Sequence, residues 1–333
     1  MKNIIFFIFI LFFTPSFLAQ KASMYNQFVF NKAGLNPAAS GTDINQKYNF
    51  VFGLSNQWFG VPGSPFQNFV NISHTYKPPR SYIRWHNIGM YVDNTAAGLM
   101  YNVGLYVNYS YHIIIKKGLI ASFGIYAGIK NYGVISRADP NDPVFKNSNP
   151  SIYPDFIPGF RLTAKKFFMD VAIKQINLLK VENFEGQINY SKKNKLKYGP
   201  LNIGEPFDLN PNIYFAYGRK IGLTDEILFL PSVAINAEIV DIPIIDASAM
   251  FFYDNRIGAG VGLKNLNFFN ITLQLRIQQN LTAGLSYSYP LNSSRYSAPN
   301  SFEFIIGVTP YGMNSKIFGA IKHSVSKSPT IDF

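Results

Sequence analysis

From about residue 47 onward, apolar and polar residues alternate with a period of two. Val103, Leu105, Val107, Tyr109, Tyr111 and Ile113 alternate with Asn102, Gly104, Tyr106, Asn108, Ser110 and His112. Successive side chains of a strand point to opposite faces, so this segment carries one apolar and one polar face. Tilted, a strand of about ten residues crosses a bilayer. The next segment repeats the pattern: Leu119, Ala121, Phe123, Ile125, Ala127 and Ile129 oppose Ser122, Gly124, Tyr126, Gly128 and Lys130, with Ile120 as the exception. Further on, Ile257, Ala259, Val261 and Leu263 oppose Arg256, Gly258, Gly260 and Gly262. Phe269, Ile271, Leu273 and Leu275 oppose Asn270, Thr272, Gln274 and Arg276, and Leu281, Ala283, Leu285, Tyr287 and Tyr289 oppose Thr282, Gly284, Ser286 and Ser288.

The pattern predicts fourteen strands, at about 47–57, 66–76, 85–94, 100–113, 118–131, 155–164, 167–176, 209–219, 226–239, 243–253, 256–264, 268–277, 280–289 and 301–309. A soluble sandwich also alternates. Here the polar face is small and neutral more often than charged, and Tyr and Phe recur near segment ends, as interfacial girdles require. Backbone groups in lipid must all be paired, so the sheet must close. The expected fold is therefore all-β, a transmembrane antiparallel barrel of about fourteen strands. With a periplasmic N-terminus, odd-numbered connections lie outside and are longer. The two longest, 132–154 and 177–208, are connections five and seven, whereas 114–117, 164–166, 254–255 and 278–279 are tight. Pro140, Pro143, Pro150, Pro154 and Pro158, with Asp139, Asn141 and Asp142, mark 138–158 as a structured loop, because proline lacks a donor and fixes φ.

Composition agrees with this reading. Charged residues are 14% and aromatics 16% of the 333-residue chain, with 31 Phe, 21 Tyr and 2 Trp. The mean hydropathy of +0.04 is too low for a polytopic helical membrane protein. An apolar share of 47% excludes disorder, and the lack of Cys excludes a disulfide scaffold or a thiolate metal site. The net charge of +12 opens the question of nucleic acid, anionic membrane or acidic partners. The densest basic group, Lys192, Lys193, Lys195 and Lys197, reads as a solvated loop face or a contact for an anionic partner. The aromatics follow strand periodicity, which argues against nucleic-acid binding.

The first residues read as a secretory signal peptide. Lys2 supplies a positive charge, Ile4 to Phe13 an apolar run too short to span a bilayer, and Ala19-Gln20 a cleavage junction. The expected organisation is a signal peptide at 1–19, an N-terminal segment at 20–46, a barrel at 47–310 and a C-terminal extension at 311–333.

Candidate chemistry is sparse. His74, His86, His112 and His323 have no metal-ligand spacing, and no nucleophile motif accompanies the serines. His112, on a polar strand face, reads as lumen-lining. Asp139, Asp142 and Asp155 read as turn chemistry, with calcium binding as the alternative. Gly258, Gly260 and Gly262 lie inside an alternating strand and open no helix, so they are not a phosphate loop. No catalytic residue, cofactor or metal ligand set is expected.

The segment after the signal peptide is the most specific part. Gln27-Phe-Val-Phe-Asn31 is followed by Leu35-Asn-Pro-Ala38, with Asn36 and Pro37 at its centre, and by Ser40-Gly41. Then come Asn56-Gln-Trp-Phe-Gly60, which contains Gln57 and Trp58, the Pro62-Gly-Ser-Pro65 turn with Gly63, and Asn87-Ile-Gly-Met-Tyr-Val-Asp-Asn94 with Asp93. This order resembles the PorP/SprF family of the type IX secretion system, in which "QYxFNxxxxNPAxAG" precedes "RxQWxGxxGAP". Pro154 to Phe160 is similar to that family's "PDFGxG" strand, and Ser301 to Gly307, with Glu303, to its last-strand motif. The resemblance covers about residues 22–309. Asn56 replaces the usual Arg and Phe302 the usual His. Residues 310–333 run past the family's usual end, either as an extra strand, since Ser315 to Lys322 alternates weakly, or as a periplasmic tail.

The resemblance implies an outer-membrane barrel that supports secretion or surface attachment of particular large proteins, often adhesins. Its partners would be outer-membrane lipid, periplasmic or outer-membrane secretion components and a cargo protein, with no nucleic acid and no catalysis. Asn36-Pro37 favours a fixed turn and Gly41 permits positive φ, so residues 22–46 are expected to pack in or under the barrel. Trp58 reads as a girdle aromatic or a partner contact. The competing function is an outer-membrane porin or solute transporter; an outer-membrane enzyme is the third.

Overall fold

The computed structural model describes residues 25–43, 46–79, 81, 83–98, 100–134, 151–174, 211–238, 243–254, 256–278, 280–291 and 300–309. The expected signal peptide at 1–19, the lysine group at 192–197, Asp139, Asp142, His323 and the expected extension at 311–333 lie outside these residues. The strands are β1 (Tyr48–Asn56), β2 (Phe66–Tyr76), β3 (Arg84–Ala97), β4 (Met100–Lys116), β5 (Leu119–Val134), β6 (Ser151–Ala164), β7 (Phe167–Lys174), β8 (Asn212–Arg219), β9 (Ile221–Gly222), β10 (Ile227–Glu238), β11 (Ile244–Tyr253), β12 (Ile257–Lys264), β13 (Phe268–Gln278), β14 (Leu281–Pro290) and β15 (Ser301–Val308). Wall neighbours pair antiparallel, and β1 pairs with β15 from Phe50↔Val308 to Asn56↔Phe302, which closes the sheet. The two-residue β9 pairs with β10 beside the end of β8, so the wall has fourteen strands.

Burial is inverted relative to a soluble protein. Val107 is 57% exposed and Ile88 58%, whereas Asn108, Ser110 and Asn87 are fully buried. Apolar side chains face outward, where lipid replaces water, and polar side chains face the lumen. The alternation along β4 makes this a direct consequence of sequence: one face of each strand suits hydrocarbon and the other does not. Ile120, the exception to the pattern, is buried on the lumen side.

The β6 strand corrects one expectation. It begins at Ser151, ahead of the expected start at 155, so Pro154 and Pro158 both lie in a strand and not in the loop expected over 138–158, which overlapped that strand. Both pair with β5, opposite Ile129 and Ile125, whereas the recorded β6–β7 ladder covers only Gly159 to Thr163. Proline lacks a donor, and it is tolerated where one side of the strand needs none. Pro231 follows the same logic in β10, between the ladder with β8 that starts at Ser232 and the short one with β9 that ends at Phe229.

The ladder ends place the connections as expected. Those at 117–118, 165–166 and 254–256 are tight and even-numbered in the wall, and 135–150 and 175–211 are long and odd-numbered, although the odd-numbered 98–99 and 265–267 are tight as well. The turns at 117–118, 165–166 and 254–256 mark one end of the barrel, the tight-turn end, and the two longest connections lie at the other.

Candidate functional site

Residues 25–43 form a plug inside the barrel. Local chemistry sets its shape. Asn31 caps a single helical turn, Lys32–Leu35, by accepting from the Gly34 N–H at 3.2 Å. Asn36 caps the following 3₁₀ turn, Pro37–Ala39, by accepting from Ala38 N–H at 3.0 Å. Pro37 stands at the first position of that turn, where its missing donor costs nothing. Gly41 then takes φ +69°, and a Cβ there would run into Asn87.

The plug is tied to walls on both sides of the lumen. At its start, the Glu303 carboxylate accepts the Asn26 N–H and the Gln27 N–H, each at 2.9 Å. The Asn26 side chain donates to Ser288 Oγ at 2.7 Å and accepts from Lys264 Nζ at 2.8 Å. Gly284 leaves room for Gln27 and Phe30. Tyr25 packs edge-on against Phe69 with centroids 5.0 Å apart. In the middle, the Tyr126 hydroxyl donates to Ala33 O at 2.7 Å and accepts from Asn71 Nδ2 at 3.0 Å. Asn36 Nδ2 donates to Asp170 Oδ1 at 2.8 Å and to Phe160 O at 2.9 Å, and Ser110 Oγ donates to Pro37 O at 2.7 Å. Gly124 and Gly159 face Pro37, Ala38 and Asn36 so closely that a side chain on either would displace the plug. Near the tight-turn end, Trp85 Nε1 donates to Gly41 O at 2.8 Å.

Two supports stand behind these contacts. Buried Arg161 pairs with Asp170, holding the carboxylate that receives Asn36, and its Nε donates to Thr163 Oγ1 at 3.0 Å. Breaking one member of such a buried pair strands the other's charge, so the anchor is strict. His112 stacks on Trp85 at 5.1 Å and hydrogen-bonds Ser122 at 2.7 Å, which fixes the indole that reaches Gly41. Asp155, weighed as a cation ligand, accepts from the Tyr106 hydroxyl at 2.8 Å, and the described residues contain no grouping of three metal-ligating side chains.

The motif residues thus divide. Gln27, Asn31, Asn36, Pro37, Gly41 and Glu303 meet in the lumen. Asp93 faces the same lumen, 3.9 Å from Lys130. Gln57, Trp58, Gly60 and Gly63 lie apart from them in the β1–β2 connection. There Gln57 N–H donates to Pro65 O at 2.9 Å, and Gly60 and Gly63 take φ +93° and +75°. Trp58, half-buried at φ +55°, donates its N–H to Ser301 Oγ at 3.2 Å. Phe59 is exposed and rests edge-on against Phe302 at 5.6 Å. Sequence reasoning missed Arg161, Asp170 and Tyr126. Each occupies a lumen-facing alternate position, and a charge or phenol there signals an internal partner.

A closed antiparallel wall with an apolar exterior and a filled polar lumen defines an outer-membrane β-barrel protein. The family model described as "Type IX secretion system membrane protein PorP/SprF" matches residues 17–308, and the chain belongs to that family. The comparison with curated proteins gives no match. Among solved structures, the chain is similar to the Ralstonia pickettii toluene transporter TbuX, at 10% identity and a TM-score of 0.48 over 83% of this chain and 92% of that one. It is similar to a Pseudomonas aeruginosa FadL homologue at 10% identity and 0.47 over 85% and 93%. For the translocator domain of the autotransporter NalP from Neisseria meningitidis the values are 9% and 0.38 over 85% and 96%.

Proposed function

We propose that this outer-membrane component of the type IX secretion system supports secretion or surface attachment of particular cargo proteins, adhesin-like in kind, by protein–protein binding and without catalysis. The observation that carries this reading is the plug. A segment hydrogen-bonded to β3, β4, β5, β6, β7, β14 and β15 at once occupies the space a diffusing solute would need. A barrel filled in this way offers rims and loops, not a channel. In this reading Gln27, Asn31, Asn36, Pro37, Gly41 and Glu303 keep the lumen closed, while the Trp58 loop and the connections at 135–150 and 175–211 would meet secretion components or cargo.

The test is deletion of the gene, followed by comparison of surface and culture-fluid proteomes with the parent. Loss of one large protein, or a small set, from the surface is the expected result. Unchanged surface proteins together with reduced uptake of a small solute would instead assign the barrel to solute transport.

A further inference from the structure

Charge at the tight-turn end of the barrel is sorted by side. On the β1–β8 side, Lys47, Arg84, Lys116, Lys117, Lys165, Lys166 and Arg219 are all exposed. They stand ahead of β1, at the start of β3, at the end of β4, in the β4–β5 and β6–β7 turns and at the end of β8. The acidic residue on this side, among the described residues at this end, is half-buried Asp43. Further round, beside β9 to β12, the exposed Asp225, Glu226 and Asp254 change the sign, with Asp254 paired to Arg256 at 3.5 Å.

The cations sit where apolar wall ends. Ile83 precedes Arg84, Ile115 precedes Lys116, and Tyr217 lies two residues before Arg219; all three apolar neighbours are exposed. Trp85 faces the lumen, so alternation turns Arg84 outward, to the face of exposed Ile88 and Met90. Arg219 shares the outward face of Ile213 and Tyr217. Tyr217 stacks with Phe167 next to Lys166, and Lys47 Nζ lies 5.4 Å from the Tyr48 ring centroid. Aromatic rings and long basic side chains one or two residues beyond an apolar band occupy the depth of lipid headgroups. There the stem lies on hydrocarbon and the charge reaches phosphate.

We propose that the β1–β8 side of the tight-turn rim binds anionic phospholipid headgroups of the periplasmic leaflet, and that the carboxylates beside β9 to β12 confine those lipids to this side. An acidic protein docked from the periplasm would need cations at the turn tips, but not on the outward face of the wall where Arg84 and Arg219 stand.

The test uses the full-length barrel in phosphatidylcholine vesicles carrying a trace of spin-labelled phosphatidylglycerol or spin-labelled phosphatidylcholine. The expected result is a several-fold preference of the protein-associated spectrum for phosphatidylglycerol, reduced by salt. In the R84Q/K116Q/K166Q/R219Q variant the preference falls towards that for phosphatidylcholine, and in D225N/E226Q it is kept or increased. Heat-modifiable electrophoretic mobility checks that each variant is folded; all the substituted side chains are exposed, so folding is expected to survive. Equal association of the two lipids with the unaltered barrel, or an unchanged preference in the fourfold variant, overturns the proposal. Capture of an acidic periplasmic protein by a crosslinker at position 117, with no lipid preference, would overturn the proposal and assign the arc to that protein instead.

Discussion

Glu303 and Gln27, separated by 276 positions, meet in the lumen, where the carboxylate accepts the Gln27 N–H at 2.9 Å. The other carboxylate oxygen takes the Asn26 N–H at the same distance, so one side chain of the last strand holds the start of the plug. Hydrogen bonds to a charged group contribute about 1.5–3 kcal/mol each. Glu303→Ala is expected to free the Tyr25–Phe30 stretch while leaving the wall intact. Hydrogen exchange should show faster exchange at Asn26 and Gln27 with little change in β14; protection equal to that of the parent would remove Glu303 from this role.

Asn36 makes three hydrogen bonds with one side chain, to Asp170, Phe160 O and Ala38 N–H. Asn36→Ala removes all three and leaves the Phe160 carbonyl and one Asp170 oxygen without their partner. A cost of about 2–4 kcal/mol follows from the cap and the buried acceptors together. Denaturant unfolding of the refolded barrel in detergent should show the loss, and Asn36→Asp should not restore it, because two carboxylates would then face each other.

Gly159 lies where the plug touches the wall most closely, beside Asn36 and Pro37. Gly159→Leu is expected to expel the middle of the plug, whereas Gly262→Ala, whose added Cβ meets nothing nearer than 3.1 Å, should be tolerated. Limited proteolysis of the plug in the two variants distinguishes them. Equal resistance would mean that the close approach at Gly159 is not needed.

Removal of residues 25–43 should convert a closed barrel into a conducting one. Planar-bilayer recording is expected to show low conductance for the full chain and a stepwise increase of several-fold for the deletion. High conductance of the full chain would favour the porin reading.

The outward face is open to a simpler test. Val107→Arg places a charge on a lipid-facing position and is expected to cost about 2–4 kcal/mol if it lies near the bilayer midplane. Measured in lipid vesicles, the same substitution at a lumen-facing serine such as Ser286 should differ, because its failure would come from steric conflict and not from the bilayer.

Period-two alternation alone placed the strands, including Ile257–Lys264 with its inward glycines, and the strand count set the two longest connections at one end of the barrel. This information is local: whether a side chain suits hydrocarbon is a property of that residue and its neighbours two apart. The prolines at 154 and 158 misled, because their missing donors count only against a neighbouring strand, and the recorded ladder with β7 stops at Gly159.

The cap of Asn36 on Ala38 spans two residues and was legible as turn chemistry at Asn36-Pro37, whereas the cap of Asn31 on Gly34, three residues apart, emerged only in the structure. That this segment packs in or under the barrel was expected; which wall residues it meets was not legible. Its anchors on Ser110, Asp170 and Glu303 lie 73 to 276 residues away, and closure of the wall brings them onto one axis. Alternation determined which faces look inward. Only the closed barrel decided what each inward residue meets, because distances across a lumen depend on strand number, register and curvature together.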